Sequence, residues 1–300
     1  MTACDEWAKI PRFSSLATAR AKARHHWHDR WTRLPAGGNR AVGPSGRSSL
    51  DVVTLPATDG EHHRPAHMSD VVGSIDVHVH PAGDPLGVSA PPADWVAGLA
   101  AATLDVVVIT DHNMIDMLER LRDLLGGRGP ELVRGEEIAT RQGHLLGLGL
   151  DRLVPSNLVL RDAIAAVHDA GGLAIIAHPL LPTRISVSSS SLRGLASAEE
   201  RYRPDGIESF NPLAARFPMQ ERRVRALAAE LGLAMVGGSD AHLPGDLAHG
   251  RTRFPGRSFA DFRRAVARGQ TSPEGETYPL ARTIRDGLGA VQLSRLRPRF

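Results

Sequence analysis

The 300-residue chain has a single cysteine, Cys4, so it forms no internal disulfide and no thiolate zinc knuckle. It contains no run of 18 or more apolar residues, which excludes a membrane-spanning helix. No short apolar core follows the N-terminal charges, so no secretory leader is expected. These absences predict a cytoplasmic protein. Lysine is almost missing: Lys9 and Lys22 are the only two, and both precede residue 69. The sequence pI near 9.6 invites a nucleic-acid reading, but the charge is unevenly spread. Residues 1–68 hold ten Lys/Arg against six Asp/Glu, whereas in residues 69–300 26 arginines face 27 acids. A near-neutral main domain argues against a strong phosphate-backbone surface and leaves nucleic acid only as a short oligonucleotide substrate. The apolar fraction of 42% and charged fraction of 23% exclude disorder throughout.

What is present falls into two parts. Residues 1–68 carry three of the four tryptophans and six of the fourteen histidines. Residues 35–67 are rich in Gly, Pro, Ser and Asp without an apolar period, so 1–68 reads as a basic, poorly ordered arm and linker. Met68 is a candidate start of the native chain. Residues 69–300 read as one domain. Strands are predicted at Ser74–His80, Asp105–Thr110, Leu132–Ile138, His144–Leu148, Leu173–Ala177, Gly206–Phe210, Leu233–Gly238 and Arg251–Phe254. Helices are predicted at Asp94–Ala102, with Asp94 as cap, and at Ile115–Leu125, Asn157–Ala170, Met219–Leu231 and Phe259–Arg268. About seven strand–helix steps predict a parallel α/β architecture and suit a barrel better than an open sheet. Residues 271–300 carry too weak a pattern to assign.

Most of the strong strands end in residues that bind metal. The first ends in His78-Val79-His80, the second in Asp111-His112-Asn113, and the third in Glu136-Glu137, with His144 soon after. Later strands end in His178-Pro179 and in Ser239-Asp240-Ala241-His242. The two-residue repeat of a strand puts His78 and His80 on one side, and barrel strands deliver their C-terminal ends to one mouth. So many imidazoles and carboxylates do not pack together dry without compensation. Divalent cations supply it, and with no thiolate present mixed N/O ligation suits Mn, Zn or Fe. His168, inside a predicted helix, reads as structural, and His249 as a loop residue.

The order His78-Val79-His80, Thr110-Asp111-His112-Asn113, Gly135-Glu136-Glu137-Ile138, Gly143-His144, Ala177-His178-Pro179 and Gly238-Ser239-Asp240-Ala241-His242 resembles the PHP (polymerase and histidinol phosphatase) superfamily over about residues 74–270. The run Asp105–Asn113 with Gly143-His144 is also similar to the carbaryl-hydrolase-like metallohydrolase branch. The resemblance implies a distorted seven-stranded (β/α) barrel with two or three divalent ions. It implies a first ion on His78, His80 and Asp240, and a second on His144 and His178, with Glu137 rather than Glu136 bridging the two. His112 and His242 would hold a third ion. Many relatives place Thr and then Ser-Asp-Gly after the His-x-His; here Pro81-Ala82-Gly83-Asp84-Pro85 stands there, with Asp84 one residue nearer as the third-ion carboxylate.

The function expected is hydrolysis of a small phosphorylated metabolite or nucleotide by a hydroxide held between cations, with Asp240, His178, Glu137 and His242 as the catalytic set. Arg184, Arg216 and Arg251 are candidates to grip the phosphate, and residues 180–204, with Ser188–Ser191, are long enough for a lid. The same centre also suits an amide, carbamate or carboxylic ester. A third reading is a non-enzymatic nucleic-acid accessory module that uses the basic arm. Substrate identity and oligomeric state are not encoded legibly.

Overall fold

A computed structural model of the chain describes residues 71–83 and 88–278. The expectations for the arm 1–68, for Asp84 and for the segment after 278 therefore lie outside the described residues. Among the described residues nine strands form one sheet: β1 (Val72–Val79), β2 (Val106–Ile109), β3 (Glu131–Thr140), β4 (Gly143–Leu148), β5 (Leu173–Ile176), β6 (Gly206–Phe210), β7 (Ala234–Gly237), β8 (Gly250–Pro255) and β9 (Ser272–Gly275). Their order is β7-β6-β5-β4-β3-β2-β1-β8-β9. Among the described residues six α-helices lie between them: α1 (Pro92–Ala101), α2 (Met117–Leu125), α3 (Leu160–Asp169), α4 (Ser189–Leu195), α5 (Pro218–Leu231) and α6 (Phe259–Ala267).

The fold is the expected α/β barrel, with two corrections. It has nine strands instead of seven, and it is mixed instead of parallel. β4 runs antiparallel to β3 and β5, and β8 runs antiparallel to β1 and β9. Two residues, Arg141 and Gln142, connect β3 to β4, which is too short for a parallel crossover. β9 was illegible because Ser272-Pro273-Glu274-Gly275 has no apolar face; it is a short edge strand, where proline is tolerated. The sheet nearly closes. Between its ends, the Thr252 hydroxyl of β8 donates to the Gly237 carbonyl of β7 (3.0 Å), and its oxygen accepts the Gly237 N–H (2.8 Å). Gly250 permits the approach: a Cβ there would lie 2.0 Å from the Gly238 carbonyl oxygen.

Helix formation follows apolar spacing. α2 buries Leu118, Leu121 and Leu125 and ends at Gly126 (φ +58°); α5 ends at Gly232 (φ +66°). Asp94 does not cap α1: Pro91 holds the N-cap position, the helix begins at Pro92, and Asp94 lies in its first turn. α3 starts at Leu160, later than Asn157, whose φ of +62° is not helical. Residues 180–204 are not all loop: Ser188 caps α4 by accepting the Ser191 N–H (3.1 Å).

Three apolar clusters divide the interior. The inner one draws Ile75, Val77, Val108, Val133, Leu146, Ile175, Ala177, Val236 and Phe254 from seven strands, together with Phe259 and Phe262 of α6. The second cluster packs β4–β6 under α3 and α5. The third packs β1 and β2 against α1 and α2 around Trp95. α6 is fastened near the N-terminal ends of β3 and β5: Phe259 N–H donates to Glu131 (2.9 Å) and Arg263 donates to the Gly171 carbonyl (2.8 Å). That end of the barrel is plugged, and the opposite end stays available for chemistry. Among the described residues, no helix is long and apolar enough to cross a membrane.

Candidate metal centre

The predicted residues meet at the C-terminal mouth. His78 and His80 arrive on β1. Ile75 and Val77 belong to the inner cluster, so a regular strand would turn the two histidines outward. The β1–β2 register slips between Asp76 and Val79, and Val79 joins the outer cluster with Trp95. The bulge therefore hands the inner side to His78 and His80. His178 and Asp240 enter through left-handed backbone, with φ of +24° and +54°. Such non-glycine conformations cost on the order of 1–3 kcal/mol each and are kept where the surroundings fix them.

Each segment is held in place by named bonds. Residue 241 bridges to β1: Ala241 N–H donates to the His78 carbonyl (3.2 Å) and His80 N–H to the Ala241 carbonyl (2.8 Å). Asp240 and His242 thus flank the pair of histidines. Asp76 ties the same loop down by accepting N–H groups of Ser239 (2.9 Å) and Ala248 (3.1 Å). His112 pairs beside Glu137, with Asn113 N–H on the Glu137 carbonyl (3.0 Å). β4 is antiparallel, so the beginning of that strand lies at the mouth, and the Ala139–His144 pairing sets His144 diagonal to Glu137.

Glu137 is the hub. Its Oε1 lies 2.6 Å from His144 Nδ1, 3.0 Å from His178 Nε2 and 3.6 Å from His78 Nε2. Its Oε2 lies 2.7 Å from His112 Nδ1 and 3.4 Å from His80 Nε2. Asp240 Oδ1 lies 3.2 Å from His80 Nε2, 3.5 Å from His78 Nε2 and 3.8 Å from His242 Nδ1. Six imidazole rings stand in contact, including His80 stacked on both His112 (4.4 Å) and His242 (4.5 Å). Glu136 points away, accepting the Val154 N–H (2.9 Å), and burial pushes its carboxyl up to about 7.

Electrostatics agree with a cation site. Burial alone would lift the Glu137 carboxyl, but the His144, His112 and His78 imidazoles drive it well below the usual carboxylate range. Burial likewise opposes ionisation of Asp240, and His78, His80 and His242 outweigh it. Burial holds His80 well below the ordinary histidine value, with His242 and His112 adding to it. Both nitrogens of His80, His78 Nε2, His178 Nδ1 and Glu137 Oε2 are buried without a hydrogen bond. Native structures leave few such atoms orphaned. Two donors on one tetrahedral ion with bonds of about 2.0–2.2 Å stand about 3.3–3.6 Å apart, the spacing of His80 Nε2 and Glu137 Oε2 (3.4 Å) and of His78 Nε2 from Asp240 Oδ1 (3.5 Å) and Glu137 Oε1 (3.6 Å). Four sets have their ligand atoms within 4.8 Å of one another: His78/His80/Glu137, His78/His178/Asp240, His112/Glu137/His144 and His80/His112/His242. The donor chemistry fits divalent cations.

Three polar residues escaped the sequence reading. Glu208 of β6 is buried 3.0 Å from His78 Nδ1. Asn211 donates to Glu208 (3.3 Å) and Asp240 (3.4 Å). Asp76 is the third. Glu208 and Asp76 each stand alone inside a strand-like apolar run, a signal that was available. His168 is away from the cluster, between Asp205 (3.0 Å) and the Arg201 carbonyl (2.9 Å). Of the candidate arginines, Arg251 is engaged by Glu274 (2.7 Å) and Arg184 is exposed. Arg216 donates to the Tyr278 carbonyl and keeps a buried Nε without a hydrogen bond.

A family model described as PHP-associated matches residues 218–271. The uncharacterized protein MJ1587 of Methanocaldococcus jannaschii is 39% identical over 108 residues, 36% of this chain; the chain spans 58% of that relative's length. A two-domain protein from Bacteroides vulgatus, containing a predicted PHP-like metal-dependent phosphoesterase, superposes with a TM-score of 0.53 at 18% identity. That match covers 69% of this chain and 65% of the other. PsfC from Pseudomonas syringae superposes with a TM-score of 0.50 at 20% identity, covering 75% of this chain and 99% of the other. Both structural likenesses show the fold.

Proposed function

We propose, for a chain that belongs to the PHP superfamily, that its barrel mouth is the active site of a metal-dependent hydrolase whose substrates are small phosphate esters. One observation carries the reading: the two oxygens of a single buried carboxylate, Glu137, are shared between histidine sets. His144 and His178 lie on Oε1, and His112 and His80 lie on Oε2. A carboxylate so placed suits a bridge between ions, with Asp240 as the second anionic ligand.

Bound divalent cations supply Lewis acidity at a phosphoryl oxygen and make water nucleophilic at neutral pH. The chain's own groups do the rest. His242 turns Nδ1 to the Asp240 carbonyl (2.9 Å), which would leave Nε2 as its ligand atom in the set with His80 and His112. Asp111 fixes the turn after β1 by accepting the Ala82 N–H (2.8 Å), and burial pushes its carboxyl up to about 7. Arg216, in the segment that follows β6, is the arginine we assign to the phosphate, since a guanidinium fork matches phosphate oxygens. Ions of Mn, Zn or Fe type suit this N/O donor set.

The test is a panel of p-nitrophenyl phosphate, bis-p-nitrophenyl phosphate and an aryl carbamate, each with the chelated protein and with added Mn²⁺ or Zn²⁺. Metal-restored turnover of a phosphate ester is expected, with Arg216→Ala raising KM roughly tenfold or more, the loss of one charge-assisted contact. Turnover of the carbamate alone overturns the phosphoester reading.

A further inference from the structure

Glu208 occupies the middle of β6, wholly enclosed, where the strand contributes Ile207 to the outer core. A buried carboxylate without partners is costly; this one has three. Its Oε1 lies 3.0 Å from His78 Nδ1. Its Oε2 accepts the backbone N–H of His178 at 2.7 Å and the Asn211 Nδ2–H at 3.3 Å. We infer that Glu208 is a positioning residue that sets His78 and His178 together, the two imidazoles that face Glu137 Oε1 from β1 and from the end of β5. The inference rests on the metal-centre reading and extends it to a residue that touches no ion.

The argument is one of donors and acceptors. An ionised carboxylate only accepts, so His78 must present Nδ1–H to Oε1. In the neutral ring Nε2 then carries the lone pair. That atom is buried, has no hydrogen bond, and lies 3.5 Å from Asp240 Oδ1 and 3.6 Å from Glu137 Oε1. The tautomer needed for ligation is thus fixed from behind. The other oxygen acts on backbone. His178 sits at φ +24°, a strained geometry, with its N–H on Glu208 and its carbonyl on Ser186 Oγ (2.6 Å). Those two bonds hold its ring so that Nε2 reaches Glu137 Oε1 at 3.0 Å.

Glutamine has nearly the same shape but one acceptor and one donor. With its oxygen toward His78, its NH₂ opposes the His178 N–H and the Asn211 Nδ2–H. With its NH₂ toward His78, it forces the proton onto Nε2 and blocks the ligand lone pair. Either orientation spoils one of the two ligands.

The experiment uses the full chain, stripped by chelator and titrated with Zn²⁺ against a chromophoric chelator, wild type beside Glu208→Gln. The expected result is binding about 10–100-fold weaker in the variant, with thermal unfolding of the two apo proteins similar. Equal affinities in wild type and variant overturn the inference while leaving the metal centre standing; a wild type that binds no zinc removes the metal-centre reading and this inference with it. Should the variant not fold, ¹⁵N-histidine NMR of the Zn²⁺-loaded wild type reads the same point: His78 is expected to keep its proton on Nδ1 and to bind zinc through Nε2, and ligation through Nδ1 or none at all overturns the proposal.

Discussion

The two ends of this barrel are made by the same strands under opposite rules. At the α6 end, Phe254, Phe259 and Phe262 interlock, with Phe254 edge-on to Phe262 at 5.5 Å, and the Phe259 N–H and the Gly171 carbonyl at α6's edge find side-chain partners. At the mouth, six imidazoles surround two carboxylates, and five buried polar atoms of that cluster make no hydrogen bond. One end supplies packing energy; the other spends it on strain at His178 and Asp240 and on polar groups awaiting ions. Stability and ligand binding should therefore separate by location.

The sharpest break is at the mouth. His178→Ala or Asp240→Ala is expected to abolish turnover and lower metal content while circular dichroism stays close to wild type; full activity in either removes the site assignment. At the other end, Phe262→Ala is expected to cost about 3–5 kcal/mol in urea unfolding, with metal stoichiometry unchanged per folded molecule. Metal loss with intact stability would deny the separation. At the seam, Thr252→Val leaves the Gly237 N–H and carbonyl unpaired and should cost about 1–3 kcal/mol, measured the same way.

The smallest effect belongs to the α6 capping box. The Ser258 hydroxyl, with the Ser258 and Arg257 N–H groups, holds the Asp261 carboxyl down at about 2. A depressed carboxylate stabilises above its unfolded value of 3.8 and loses that contribution as pH falls toward about 2. Asp261→Ala should therefore cost about 1 kcal/mol at neutral pH, with the gap to wild type closing in acid melts. A gap that widens on acidification contradicts the assignment.

The legible parts of the molecule were those where a local pattern decides. The apolar runs of β2, β5 and β6, the helix ends at Gly126 and Gly232, and the clustering of His and acid at strand ends all follow from short-range chemistry. The family's Gly-x-Glu pattern also picked Glu137 over Glu136. What could not be read depended on pairing partners. β4's direction, and with it His144's arrival from the start of a strand, is set by the β3–β4 hairpin. The bulge that turns His78 and His80 inward appears only in the register with β2. Arg251 was a candidate by position but is engaged by Glu274 on β9, a strand with no apolar signal. Glu208 was visible as a carboxylate in an apolar run, yet its importance comes from His78 and His178, 130 and 30 residues away.

The most direct test is elemental analysis of the purified, folded chain before and after chelation. At least two divalent ions per chain are expected, removable by chelator with the fold retained and restored on adding metal back. A folded chain that carries no ion and takes up none would contradict the account, because the orphaned nitrogens and carboxylate oxygens at the mouth would then need another explanation.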